Sequence, residues 1–405
     1  MNAHAPAPEE SALPPEFERI RKVAWKVAAV GGVVSVASWI LGSERFAQSY
    51  LVAFLFWLGI SASCLAAVLL HHLVGGLWGF VIRRPAEAGA KNLPLMMVLF
   101  IPIALSLRSL YPWANTSALS HHLQQKTAYL NVGFFLGRAA FYFLFWSGLA
   151  IFLNRSADAQ DQTSDPGPTR RRQFISGPGL ALFFLTFTFA MMDFGMSLEP
   201  EWFSTIYGPM LLVGSVLGTL SFLVIVTSRL ADREPLSEVA TATGFHDLGN
   251  LMLAFTMLWA YMSFSQYLIT YSGNLTEEIS WYLHRSLGLW RVIAICLIFF
   301  HFFAPFFLLL SRDRKRNAKA LAKVGAALLV MRFVDLTWLV VPSKVVTSNV
   351  EVITLLVALP GAMAAVGGLW VATFIRSLQS RPLLPNHNDP LLTAVLEHHG
   401  HGEGH

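Results

Sequence analysis

Tyr129-Leu130-Asn131, with Arg138 seven residues further on, returns as Tyr282-Leu283-His284 with Arg291 at the same spacing, 153 positions later. A second echo follows each. Asp193 stands seven residues before Pro200 and Asp335 seven before Pro342, an offset of 142. Both sets lie in long apolar stretches, so each half of the chain carries an arginine on one apolar helix and an aspartate on the next. Charge in hydrocarbon is costly, so such residues are either paired or functional. Their repetition predicts an internally duplicated architecture.

The composition sets the class. Of 405 residues, 55% are hydrophobic and only 13% charged, against about 25% charged in soluble domains. A polytopic, all-α membrane protein follows. A span needs about 20 mostly apolar residues. Ten segments qualify, near 24–42, 50–74, 93–111, 127–153, 178–196, 205–228, 247–270, 286–311, 319–341 and 351–376. Lys and Arg divide unequally between the two sets of loops. The side carrying both ends of the chain holds 21, from Arg19 to Arg381; the other holds Arg45, Lys126, Arg285 and Lys344. By the positive-inside rule both termini are expected in the cytoplasm. The net charge of +5 therefore belongs to loops and gives no reason to expect a nucleic-acid partner.

Residues 1–22 read as a polar cytoplasmic segment and not as a cleavable signal peptide. Residues 23–376 form the membrane domain, and 377–405 a cytoplasmic tail rich in histidine. Residues 1–15, the loop 154–177 and the tail 385–405 are expected to be unpacked. His398-His399-Gly400-His401 suits a metal less well than it suits an unpacked end.

The spans pair by order. Spans 3, 4 and 5 correspond to 7, 8 and 9, which predicts two tandem four-helix bundles, 2–5 (about 50–196) and 6–9 (about 205–341), flanked by spans 1 and 10. At 1.5 Å per residue, Arg108, Asp193 and Asp335 fall in the outer third of the membrane, and Arg138 and Arg291 in its outer half. Neighbouring helices in a bundle touch, which predicts ion pairs Arg138–Asp193 and Arg291–Asp335, with Arg332 on the face of Asp335 at i, i+3. Three readings stay open for these groups: pairs that fix helix register, a proton-conducting path, or the polar end of a quinone-type pocket.

Other polar residues point to less. The two cysteines, Cys64 and Cys296, with no C-x-x-C-H, exclude covalent c-type haem and a protein-ligated iron–sulfur cluster. His71-His72 and His301 form no spaced pair on neighbouring helices, so haem b is not expected. His246-Asp247 reads as a helix N-cap with its dipole partner, with a proton-path role as the alternative. Trp113, Trp202, Tyr207, Trp281 and Tyr282 read as an interfacial belt. The short acidic outer loops around Glu199, Glu201, Glu277 and Glu278 suit a docked extramembrane partner.

The stretch Met192-Asp193-Phe194-Gly195-Met196-Ser197-Leu198-Glu199-Pro200-Glu201-Trp202-Phe203-Ser204-Thr205-Ile206-Tyr207-Gly208 resembles the ActF subunits of bacterial alternative complex III, a quinol:cytochrome c oxidoreductase. So do His246-Asp247-Leu248-Gly249-Asn250, the run from Phe255 to Leu268, Asp335-Leu336-Thr337-Trp338 and Pro385-Asn386-His387-Asn388-Asp389-Pro390. The resemblance covers about residues 20–395 and is weakest in spans 1 and 2. It implies an NrfD-type fold of two four-helix bundles in the bacterial inner membrane. It also implies a complex that oxidises menaquinol or ubiquinol, with haem c and iron–sulfur clusters in partner subunits on the outer face. A paralogous NrfD-type subunit would be the better-supported quinol site. This chain would be the partner membrane subunit, not the redox-active one, with a role in assembly, quinone contact and proton transfer. Asp193 and Asp335 lie in matching motifs, whereas Arg138 and Arg291 rest on the repeat alone. The main alternative is a proton-coupled secondary transporter. A standalone haem-b quinol dehydrogenase lacks its ligand pairs.

Overall fold

The computed structural model describes residues 13–115, 121–163, 165–344, 348–384, 389, 392 and 393, with the side chains of 121, 122 and 277 excepted. His398, His399 and His401 and the first twelve residues lie outside them. The described chain is helical, without strands, and ten of its helical segments are long and apolar enough to cross a membrane. The chain is an all-α polytopic membrane protein.

The helices run in the order α1 (Pro15–Leu41), α2 (Ser43–Val74), α3 (Leu77–Ala90), α4 (Leu93–Leu99), α5 (Ile101–Leu105), α6 (Leu107–Leu110), α7 (His121–Gln125), α8 (Val132–Asp161) and α9 (Gly167–Phe194). After them come α10 (Tyr207–Leu230), α11 (Ala242–Gly273), α12 (Thr276–Arg285), α13 (Gly288–Cys296), α14 (Ala304–Leu310), α15 (Arg312–Arg316), α16 (Ala318–Val340) and α17 (Asn349–Gln379). Side chains start several of them. Asn131 accepts from the Phe134 N–H at 2.9 Å, Asn317 from Ala320 at 3.0 Å and Ser348 from Glu351 at 3.3 Å. Each fills a donor that the first turn leaves unpaired.

Two spans are interrupted. The third, Leu77–Leu105, breaks into α3, α4 and α5, with Pro94 and Pro102 in the opening turns of α4 and α5. Proline has no N–H to continue the ladder and clashes with the turn before it. The eighth passes from α13 to α14 through a π-helical stretch, Leu297–Phe303, just ahead of Pro305; such an insertion absorbs the missing donor.

Packing follows the expected bundles. The first is α2 against α3–α6, α8 and α9; the second is α10 against α11 and α16, with α13 packed on α16 and α14 on α11 and α16. Their central helices are α2 and α10, whose most apolar windows are 89% and 83% buried, against 22–50% in the other eight spans. The bundles meet where α2 packs on α10 and α16, and α9 on α10. The flanking helices α1 and α17 pack along each other, and α17 lies on α2.

Three expectations need correction. The first helix starts at Pro15, ahead of the start expected near residue 24 and inside the segment 1–22 read as preceding the membrane domain, because Pro15 and Glu16 open a helix favourably. The loop 154–177 shrinks to a few residues, since α8 runs to Asp161 and α9 starts at Gly167. Residues 83, 84 and 91 were placed in a plain loop; instead α3 is buried over almost its whole length.

The α1–α17 contact relies on a missing side chain. A Cβ at Gly31 would stand 2.4 Å from the Ala365 backbone nitrogen, whereas Gly32 has open space beside it. Without a hydrophobic drive between membrane helices, close backbone approach through small residues supplies the packing. Gly31→Leu is expected to destabilise by about 1–3 kcal/mol through overpacking, and Gly32→Leu to be nearly silent. The readout is the denaturation midpoint in detergent. Equal midpoints would show that α1 is not held there.

Candidate functional site at the face away from the termini

The first bundle brings Arg138 and Asp193 together as predicted. Arg138 lies two turns into α8, and Asp193 is one residue from the end of α9. The pair is bidentate: Nε donates to Oδ2 at 2.9 Å and Nη2 to Oδ1 at 2.8 Å, the strong geometry for a guanidinium on a carboxylate. The Tyr142 hydroxyl donates to Oδ2 at 3.0 Å. The guanidinium also donates to the Tyr129 carbonyl at 2.9 Å and lies over the rings of Tyr129 and Phe134, at 3.8 and 4.5 Å. Asp193 is buried, 1% exposed. Tyr129 lies outside the span. Burial, reinforced by the Asp193 charge, pushes its phenol up to about 12.

The second bundle departs from the expected symmetry. Asp335 on α16 accepts from Arg332 Nη1 at 2.5 Å, one turn away on the same helix. Arg291 makes no ion pair or hydrogen bond with any described residue. Arg332 wins because α10 holds it. Its Nη2 donates to the Leu211 carbonyl at 3.0 Å and to Ser215 Oγ at 3.1 Å. Gly214 leaves the space, since a Cβ there would meet Nη1 at 2.3 Å. A guanidinium with two anchors on the neighbouring helix loses little freedom in binding the carboxylate, while Arg291 stays near the start of α13, exposed.

Arg291 and Asp335 nevertheless share a wall. A cavity of about 650 Å³ opens between α11, α12, α13 and α16, lined by Gln266, Trp259, Trp281, Arg285 and Trp338 among others. Trp202, Tyr207, Trp281 and Tyr282 also line it, so four of the five residues read as an interfacial belt form a cavity wall instead. Trp202 stacks on Trp281 at 4.7 Å. The fifth, Trp113, is buried and donates to the Ser197 carbonyl.

Arg285, counted only as a loop charge in the sequence, closes the far end. It donates to Glu199 Oε1 and to the Leu339 carbonyl, each at 2.7 Å, and lies over the Trp281 ring at 3.7 Å. Burial lowers its pKa, against the charge of Glu199. Glu199, one of the four loop glutamates, is thus engaged inside the protein. The i, i+4 spacing of Arg285 from Trp281 was a legible signal, as was that of Tyr142 from Arg138.

Three predicted residues lie elsewhere. Arg108 falls on α6, past the last residue of its span, and is exposed; the breaks in that span bring its end forward. His246 and Asp247 are inside the first turns of α11, which is capped by Thr241 accepting from Gly244. They are therefore not the cap. His246 meets Asp247 at 3.6 Å and Asn250 at 3.3 Å, some twenty residues and about 30 Å of helix from Gln266.

The same end of the molecule as His246 holds a cluster that the sequence did not suggest. Glu87 on α3 accepts from Arg83, Arg84 and Arg381, at 3.0, 2.8 and 3.3 Å. Asp389 accepts from Arg83 at 2.8 Å and Arg172 at 3.4 Å. Arg84 also pairs with Asp161, and Arg381 with Asp158. Part of the tail is therefore built into the fold: Leu383, Leu384, Asp389 and Leu392 are all buried. For Asp389 and Leu392 that overturns the expectation of an unpacked end.

No family model matches this chain, and no curated protein is significantly similar to it.

Proposed function

We propose that this chain is the membrane subunit, without redox centres of its own, of a quinol:cytochrome c oxidoreductase of the alternative complex III type. In this reading it lies in a bacterial cytoplasmic membrane with both termini inside. It supports assembly and moves protons toward the outer face. Its partners are a paralogous NrfD-type subunit, which contacts the quinol, and haem c and iron–sulfur proteins outside.

The observation that supports this reading best is a buried aspartate held by arginine near the same face in each bundle. In the first, Asp193 joins Arg138 and the Tyr142 hydroxyl. A carboxylate among phenols can accept a proton and pass it on through their hydroxyls. Arg138 sets the balance between its two forms. In the second, Asp335 lines a cavity near that face. A transporter would favour breaks in equivalent spans of the two halves. Here the interrupted spans are the third and the eighth, which do not correspond.

Asp193→Asn and Asp335→Asn, each in the native complex, test the reading. Quinol oxidation is expected to persist while proton release to the outside falls about tenfold or more. Unchanged proton release in both would remove the proton role. Purification from the native membrane is expected to bring haem c and iron–sulfur subunits along; a colourless homo-oligomer would reject the assignment to this complex.

A further inference from the structure

We propose that the second-bundle cavity is a specific site for an anionic phospholipid of the leaflet at the face away from the termini. In this site the phosphate meets Arg291 and one acyl chain lies in the slot between α11 and α13. The inference is independent of the proton role.

The cavity has the shape and lining of a chain site. Its polar surface is small and its walls are mostly aromatic and aliphatic. It follows α11 from Tyr267 to Met257, which is about 15 Å at 1.5 Å per residue. Tyr261, Phe264, Tyr267, Ile295 and Ile298, all among its lining, are exposed on the outer surface of the bundle. A ligand can therefore enter sideways from the bilayer.

Charge decides what the ligand is. The cavity wall carries three ionic elements. Arg285 is neutralised by Glu199, and Asp335 by Arg332. Arg291 is left, three residues into its span and without a partner among the described residues. So close to the span's edge the guanidinium reaches the headgroup layer, where a lipid phosphate is its counter-ion. A phosphodiester supplies the negative charge, and a neutral ring headgroup does not. The head end of the cavity also lies where outer-face helix α12 and Ser286 meet the start of α13, at headgroup level.

The test is native mass spectrometry of the delipidated full-length protein, titrated with equimolar phosphatidylglycerol and phosphatidylcholine of the same chains. One phosphatidylglycerol per protein is expected to be retained in preference. Arg291→Gln is expected to reduce that preference about fivefold, the loss of one basic contact near a lipid surface, and Arg291→Lys to keep most of it. Ala294→Phe, which fills the slot, is expected to remove retention of either lipid while leaving Arg291 in place. Equal retention of the two lipids by the unaltered protein would overturn the proposal, as would an undiminished preference in Arg291→Gln. Displacement of the retained lipid by equimolar menaquinone would assign the cavity to a neutral ring headgroup and overturn it too.

Discussion

Glu87→Ala is expected to cost about 3–5 kcal/mol of stability, the usual penalty for breaking a buried ion pair from one side. The carboxylate is buried and accepts from three guanidiniums, those of Arg83, Arg84 and Arg381. The cluster balances: Arg83, Arg84, Arg172 and Arg381 face Glu87, Asp158, Asp161 and Asp389. Removing Glu87 leaves an uncompensated positive charge between α2, α8 and α9, where water does not reach the Arg83 and Arg84 side chains, 1% and 2% exposed. Glu87→Gln keeps an acceptor oxygen and the side-chain volume, so its loss is expected to be smaller. Denaturant titration in mixed micelles measures both. A cost below about 1 kcal/mol for the alanine variant, the range of exposed pairs, would show that solvent screens the cluster.

Ending the chain after Ser380 is expected to prevent its accumulation in the membrane. The cut removes Leu383, Leu384 and Leu392, each at most 3% exposed, and burial of one such side chain is worth about 1.5–3 kcal/mol. It also removes Asp389, leaving Arg83 and Arg172 without that carboxylate. The combined loss, on the order of 5–10 kcal/mol, is comparable to the whole stability of a typical domain. A chain ending after Thr393 keeps these contacts and is expected to accumulate normally. Quantifying both chains in isolated membranes decides it. Equal amounts would mean that the segment beyond Ser380 is not part of the fold.

These two effects come from residues that sequence reading passed over, and the reason is physical. Arg83 and Arg84 looked like ordinary positive-inside charges, because the rule counts lysines and arginines without regard to what they touch. Glu87 stood four and three residues on, a spacing that makes neighbours on a helix, yet α3 was not expected to be a helix. Asp389 sat in a polar tail that composition alone assigns to disorder. Its partners are 217 and 306 residues away, so no local pattern connects them.

The pairs at the face away from the termini divide in the same way. Arg138 and Asp193 lie on consecutive antiparallel helices, near the start of α8 and the end of α9, so helix order sufficed to pair them. The same logic failed for Arg291. The competitor, Arg332, was one turn from Asp335, and its advantage came from Leu211, Ser215 and Gly214 on α10. That advantage appears only when α10 and α16 are packed together. The aromatic residues tell a similar story. Their enrichment at helix ends suits an interface, but the stacking of Trp202 on Trp281 turns them inward as a wall.

By itself the sequence determined the class of protein, ten spans and their grouping into two bundles. Each rests on local composition, on helix length against membrane thickness, or on the adjacency of consecutive helices. The tertiary structure alone decided which charges neutralise each other, that Arg291 is left over beside a cavity, and that the chain's last described segment closes the cluster at the opposite face. Those outcomes depend on side chains meeting across hundreds of residues. Within a low-dielectric interior, a fraction of a nanometre separates a partner from a bystander.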